Sequence, residues 1–112
     1  MSHNEIILLD IVRAARLVIE FRQDMDKADF FKDIKTQSAV LHQLMVIGEA
    51  VKRVSQDFRS RNPEIPWELI AGMRDKLIHG YDIVDLDEVW KTVDVDMPDL
   101  LSLIEPLLPE QE

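Results

Sequence analysis

DIKTQSAVLHQLMVIGEAVKRVSQDF, residues 33–58, is the longest helical pattern in the chain. Its apolar side chains recur at steps of three or four residues: Val40, Leu44, Ile47, Val51, Val54 and Phe58. This spacing puts them on one face of an α-helix, and the Asp33 carboxylate can accept a hydrogen bond from the first turn. We therefore predict one long helix from Asp33 to Phe58 as the spine of the fold. Gly48 costs about 1 kcal/mol relative to Ala inside such a helix, which indicates close approach of a neighbouring helix.

Three further helical segments flank this spine. Residues 4–23 repeat the same spacing, with Ile7, Ile11, Ala14, Ala15, Val18 and Phe21. Pro66 suits a first helical turn, so a short third helix is predicted from Trp67 to about Ile78, ending before Gly80. The spacing of Asp85 and Glu88 is typical of a capping box, which opens the fourth helix. Pro98 should kink or interrupt that helix.

These segments predict the fold class. No segment alternates polar and apolar residues with period two, so a sheet is improbable. The 112 residues, 46% of them hydrophobic, suit a single domain over residues 1–112. We predict an all-α, up-and-down four-helix bundle with a short third helix and a proline-kinked fourth helix. The first, second and fourth segments should supply most of the core.

Composition excludes several functional classes. The chain has no cysteine and no apolar run near the ~18 residues of a membrane span, and its N-terminus lacks a secretory signal, which favours the cytoplasm. Its histidines are too scattered for a metal site, and phosphate-binding glycine fingerprints are absent, so neither a metal nor a cofactor is expected. The net charge of -9 argues against a general nucleic-acid surface unless positive groups are concentrated locally.

RDKLIHGY, residues 74–81, carries the side chains suited to phosphate chemistry. Histidine exchanges protons near neutral pH, and the arginine fork fits a phosphate. On one ideal helix Arg74 and His79 would lie roughly 140° apart, so they share a site only if Gly80 ends the helix and re-aims His79, or if a partner subunit supplies one group. Asp75 precedes His79 by four residues and is expected to orient the imidazole. The alternative is that these residues compensate the helix dipole or are solvated.

A polar stripe on the second helix also invites two interpretations. His42, Glu49 and Arg53 recur beside its apolar face. They form either a solvated face or the wall of a cleft near Arg74, in which Arg53 contacts phosphate and Glu49 holds an arginine. Trp67 and Trp90 are expected to pack in or near the core.

Three strings in order, IGEA (residues 47–50), PEIPWELIAGMRDKLIHGY (63–81) and VW (89–90), resemble the HepT family of HEPN-type toxins. The resemblance extends over essentially the whole chain. It implies a metal-independent ribonuclease site at a homodimer interface, marked by Arg74, His79 and Tyr81. Asp75 departs from the Asn that often follows the arginine in this family, and its charge would disfavour an anionic substrate.

The resemblance also implies a mechanism and a partner. A ribose 2′-hydroxyl would attack the adjacent phosphate, with His79 as acid or base and Arg74 stabilising the phosphate. A two-fold axis would bring together two copies of Arg74, Lys76 and His79. An MntA-type nucleotidyltransferase would act as antitoxin by attaching AMP to Tyr81. The alternatives are a catalytically silent HEPN module modified by that partner, and a purely structural helical dimer.

This interpretation makes three geometric predictions. The third helix ends at His79 or Gly80, a two-fold interface brings two such ends together, and Tyr81 is exposed at its rim. His79 must be accessible, because burial within one protomer would exclude it from the chemistry.

Overall fold

The computed structural model describes residues 1–79 and 83–109, and within these ranges the fold is all-α, as predicted. Its α-helices are α1 (His3–Phe21), α2 (Lys27–Lys32), α3 (Ile34–Lys52), α4 (Gln56–Arg61), α5 (Trp67–Ala71), α6 (Met73–Leu77), α7 (Leu86–Lys91) and α8 (Met97–Ile104). A π-helical turn, Thr92–Asp96, joins α7 to α8, and a 3₁₀ turn, Glu105–Leu107, follows α8. Two short strands, β1 (Ile78–His79) and β2 (Ile83–Val84), lie between α6 and α7. None of the described helices is long and apolar enough to cross a membrane.

The core lies where α1 packs against α3 and α8, as the apolar spacing predicts. The predicted periodic positions are largely buried, including Ile11 and Val18 of α1 and Leu44 and Ile47 of α3. The buried face of α1 is wider than predicted, because Leu8 and Val12 are also buried, whereas Phe21 is only partly buried. The fourth segment contributes Val89, Val93, Met97, Leu100 and Ile104. The first, second and fourth segments therefore supply most of the core.

The spine helix begins where predicted but ends earlier. The Asp33 carboxylate accepts the Thr36 amide proton at 3.0 Å, and this hydrogen bond lowers the pKa of Asp33 below its ordinary value. The helix then ends at Lys52 instead of Phe58. Ser55 starts α4, because its hydroxyl accepts the Phe58 amide proton at 3.2 Å and Asn4 hydrogen-bonds both its hydroxyl and its amide at 3.0 Å. A good N-cap inside an apolar stripe thus divides the predicted helix.

A short helix, α2, lies between the first two predicted helical segments. Asp26 and Asp29 form a reciprocal capping box, with Asp29 N–H donating to the Asp26 carboxylate at 2.8 Å. This starts α2, whose Phe30 is fully buried. Phe30 packs against Trp90 with ring centroids 5.5 Å apart, which confirms that Trp90 lies against the core.

The third segment starts after Pro66, as predicted, and Gly72 divides it into α5 and α6. A methyl group built on Gly48 would lie 3.4 Å from the Ile70 carbonyl oxygen, so Gly48 does allow α5 to approach α3 closely. Trp67 is buried and donates its indole N–H to the Asn62 carbonyl at 3.0 Å. The predicted packing role of Trp67 is confirmed.

The fourth segment is interrupted at Pro98, as predicted. Proline lacks an amide proton and its ring clashes with the carbonyl four residues earlier, here Asp94. The chain accommodates this by widening into the π-helical turn Thr92–Asp96, which runs directly into α8. At its start the Asp85 carboxylate accepts the Glu88 amide proton at 3.2 Å. Asp85 is thus the N-cap that the sequence predicted.

A small hairpin connects α6 to α7 and corrects two expectations. The helix ends at Leu77, one residue before the predicted end at about Ile78 and two before the end at His79 or Gly80 that the site interpretation requires, and Ile78 is extended with φ -122° and ψ 115°. Ile78 pairs with Val84 and His79 with Ile83 in an antiparallel ladder, so the expectation of no sheet is wrong here. The β-branched side chains of Ile78, Ile83 and Val84 favour this extended backbone.

Candidate functional site

The hairpin determines how the predicted catalytic residues are presented. Arg74 lies on α6, and the Arg74 side chain is 52% exposed. His79 lies on β1, and its side chain is 58% exposed. Because side chains alternate across a strand, His79 shares the outer face with exposed Ile83, whereas Ile78 and Val84 pack against the core. The side chains of Arg74 and His79 are therefore both accessible to solvent, as the predicted site requires.

Asp75 lies beside Arg74 and not beside His79. The Arg74 Nη1 atom donates to Asp75 Oδ1 at 3.2 Å. The predicted contact with His79 assumed a continuous helix over four residues, but the chain leaves helical geometry after Leu77. The described contacts therefore assign Asp75 to the guanidinium and give it no role in orienting the imidazole.

A different carboxylate faces the imidazole. Asp85 Oδ2 lies 3.8 Å from His79 Nε2, a salt-bridge separation when the ring is protonated. Sequence reasoning identified Asp85 only as a helix N-cap. Its proximity to His79 depends on the β1–β2 pairing, and the strands are too short to produce an alternating sequence pattern.

Each predicted cation at this end of the molecule has an acidic neighbour. Arg74 pairs with Asp75 at 3.2 Å, Lys76 with Glu88 at 3.4 Å and His79 with Asp85 at 3.8 Å. We call these six residues the motif cluster. Within one protomer the three carboxylates offset the field of the cations, so a phosphate would compete with them for Arg74 and Lys76. A single copy of the chain therefore does not supply the local concentration of positive charge that RNA binding by this acidic protein would need.

The polar stripe of the spine helix lines a groove elsewhere. His42, Glu49 and Arg53 form one wall of an open groove of about 530 Å³, and Asp10 and Arg13 of α1 lie on the opposite wall. Glu49 pairs with Lys52 at 3.1 Å. Among the described residues, no hydrogen bond or salt bridge joins Glu49 or Arg53 to Arg74. The groove and the motif cluster are separate features of one protomer.

Two further predictions concern the end of the third helix and the absence of a metal ion. Tyr81 lies outside the described residues, as does the predicted helix end at Gly80. In residues 1–79 and 83–109, no group of three or more His, Cys, Asp and Glu side chains is arranged to hold a metal ion.

Comparison with known proteins identifies relatives over almost the entire chain. Residues 11–107 match the family model described as ribonuclease HepT-like. A protein of Thermococcus cleftensis named "Probable ribonuclease HepT" is 47% identical over 106 residues, which cover 95% of this chain and 96% of the relative. A Methanocaldococcus jannaschii protein named as a putative RNase is 40% identical, covering 94% of this chain and 87% of the relative.

A similar relative occurs in Caldanaerobacter subterraneus, where a protein named as a putative RNase is 35% identical over 102 residues, with 91% of each chain covered. No solved structure matches the chain significantly. The family model and these relatives extend over the core helices and the motif cluster alike. The chain belongs to the HepT-like ribonuclease family.

Proposed function

We propose that the chain is a metal-independent endoribonuclease and the toxin component of a toxin–antitoxin pair in the cytoplasm. The observation that carries this proposal is the exposure of Arg74 and His79 on consecutive elements, α6 and β1, at one end of the molecule. A fixed cation and a proton-exchanging group are the two functions that RNA self-cleavage chemistry requires. In this proposal residues 1–112 act as one HEPN-type domain.

The proposed reaction is an internal transfer at one phosphodiester. The ribose 2′-oxygen attacks the adjacent phosphorus, the bond from phosphorus to the 5′-oxygen breaks, and the 2′-hydroxyl proton is removed as the 5′-oxygen gains one. The products are a 2′,3′-cyclic phosphate and a 5′-hydroxyl. His79 exchanges one of these protons, and Arg74 stabilises the negative charge that accumulates on the phosphoryl oxygens.

A homodimer would strengthen this site. In one protomer the carboxylates of Asp75, Glu88 and Asp85 accompany the three cations. A two-fold axis beside the motif cluster would place two guanidiniums around one phosphate, so that the RNA is held even though each arginine has an acidic neighbour. Arg53 and Glu49 would join this cleft only if the partner's cluster lies against the α1–α3 groove.

The ribonuclease proposal is tested by expressing the wild type, Arg74→Ala and His79→Ala without any partner. We expect the wild type to slow growth and to cleave total RNA, and both variants to lose these effects. His3→Ala is the matched control, since His3 is exposed at the start of α1. Equal toxicity of all four proteins, or no cleavage by any, would count against the proposal.

The proposed antitoxin is an MntA-type nucleotidyltransferase that attaches AMP to Tyr81. The modification would add bulk and negative charge two residues from His79, where the RNA phosphate must enter. Co-expression with the enzyme should therefore silence the toxin and raise the mass of the Tyr81-containing peptide by one or more AMP units. Silencing with an unmodified Tyr81 would refute this part of the proposal.

Two observations favour a second candidate function. Arg74 already has a carboxylate at 3.2 Å, and the chain carries a net charge of -9, both of which oppose RNA binding. A catalytically silent module that binds its nucleotidyltransferase and is modified by it fits these charges. The two candidates differ in one readout, because the silent module would gain AMP on Tyr81 without cleaving RNA in the unmodified state.

A further inference from the structure

Asp85 is held between two helices, and within residues 1–79 and 83–109 one of its carboxylate oxygens accepts no hydrogen bond. Its backbone N–H donates to the Leu77 carbonyl at 2.8 Å, which ties it to the end of α6. Its Oδ1 atom accepts the Glu88 amide proton at 3.2 Å, which ties it to the start of α7. The remaining oxygen, Oδ2, faces His79 Nε2 at 3.8 Å. These contacts hold the Asp85 side chain in place, and its Oδ2 atom faces the imidazole.

We propose that Asp85 is the positioning residue of His79: it holds the ring by its Nε2 side and keeps the proton of the neutral imidazole on Nε2. The inference rests on the proposed ribonuclease function. A neutral imidazole has one N–H, and the acceptor beside one ring nitrogen decides which nitrogen carries it. At 3.8 Å the two groups are in salt-bridge range and not hydrogen-bonded, so the proposed hydrogen bond requires the exposed ring to move towards Oδ2. Nδ1 is then the nitrogen that exchanges a proton with RNA.

Capping alone does not account for this arrangement. An N-cap needs one oxygen, and Ser, Thr or Asn would serve α7 about as well as Asp. Asp33 shows the difference within the same chain, because its carboxylate caps α3 through Thr36 and has no histidine among its described contacts. The second oxygen of Asp85 therefore has a geometric relation to His79 that the capping role does not require.

The first test reads the imidazole directly and needs no activity. In Asp85→Asn the amide oxygen continues to accept from Glu88 N–H, so the amide NH₂ group faces His79 Nε2 and donates to it. We expect ¹⁵N spectra of histidine-labelled protein, recorded where the ring is neutral, to show the proton on Nε2 in the wild type and on Nδ1 in Asp85→Asn. The His79→Ala spectrum assigns the signals. The same tautomer in the wild type and Asp85→Asn would overturn the proposal.

The second test separates positioning from capping. Asp85→Ser keeps a capping oxygen but cannot reach His79, and Asp33→Ser makes the same change at the cap of α3. We expect Asp85→Ser to lower the RNA cleavage rate by about 10-fold or more, and Asp33→Ser to leave it unchanged when both variants are folded. Equal rates for the two serine variants would overturn the proposal. If the wild type cleaves no RNA, the ribonuclease function fails and the ¹⁵N spectra still decide the role of Asp85.

Discussion

Side chains at the contact between α1 and α3 are almost completely buried, whereas those of the motif cluster are 35% to 86% exposed. Leu44 is 1% exposed and His79 is 58% exposed at the side chain. The first region is held by apolar packing, whose removal leaves a cavity. The second is held by ion pairs near solvent, each worth little to folding. The difference indicates that the residues which stabilise the fold and those proposed to carry the chemistry lie in separate parts of this chain, so each set can be changed alone.

The largest expected effect is on the packed region. Leu44→Ala should lower the free energy of unfolding by about 3 kcal/mol, because it removes a fully buried side chain and leaves a cavity. Chemical denaturation monitored by circular dichroism measures the change. Ile34→Ala is the control, since Ile34 is exposed and should lose less than about 0.5 kcal/mol. Equal losses in the two variants would contradict the assigned core.

A substitution in the motif cluster should affect RNA cleavage much more than the free energy of unfolding. His79→Ala is expected to reduce RNA cleavage by about 100-fold while changing the free energy of unfolding by less than about 0.5 kcal/mol. The reason is that the side chain is exposed and contributes a proton-transfer group instead of packing. Cleavage rates test the expected loss of activity, and denaturation curves from the same preparation test the expected unchanged stability. A large loss of stability would show that the two regions are not separable at this residue.

A smaller effect is expected at the neighbour of Arg74. Asp75→Asn should raise the RNA cleavage rate by roughly 3-fold, because it removes a carboxylate 3.2 Å from the guanidinium that must bind phosphate. If Asp75 instead oriented His79, as its sequence spacing suggested, the same variant would slow cleavage. Asp57→Asn is the control, since Asp57 pairs with Arg61 on α4 outside the motif cluster.

The smallest expected effect concerns the start of the spine helix. The Thr36 amide hydrogen bond lowers the pKa of Asp33 below 3.8, so ionised Asp33 stabilises the folded state above that value. This contribution is lost as the pH falls through the lowered pKa. In Asp33→Asn the cap persists without titrating, so the loss of stability between neutral and strongly acidic pH should be smaller than in the wild type. Identical pH dependence would contradict this account of the cap.

Much of the packed region was predictable from the sequence. The three-and-four spacing of Leu44, Ile47 and Val51 determines which face of α3 is buried, and Asp33, Asp85 and Pro98 mark helix boundaries by local chemistry. The division at Ser55 was not predicted, because Phe58 continues the apolar stripe and obscures the cap. The Ser55 cap is reinforced by hydrogen bonds with Asn4, which is 51 positions away and outside any local sequence pattern.

Arg74, Asp75, Lys76 and His79 of the motif cluster were predictable from the sequence, but the ion pairs and the part of Asp85 and Glu88 in them were not. Arg74 and His79 stand out by residue type, and their exposure agrees with the expectation. The early end of α6 depends on the pairing of Ile78 with Val84, which no periodic pattern encodes. That pairing is what brings Asp85 to His79 and leaves Asp75 with Arg74.

The most direct test of the central claim is the chemistry of the RNA ends. Purified protein should cleave a defined RNA in the presence of a metal chelator and leave 2′,3′-cyclic phosphate and 5′-hydroxyl ends, as read by mass spectrometry. Arg74→Ala and His79→Ala should leave that RNA intact. Cleavage that needs added metal, ends with a 3′-hydroxyl and 5′-phosphate, or equal cleavage by His79→Ala would contradict the account.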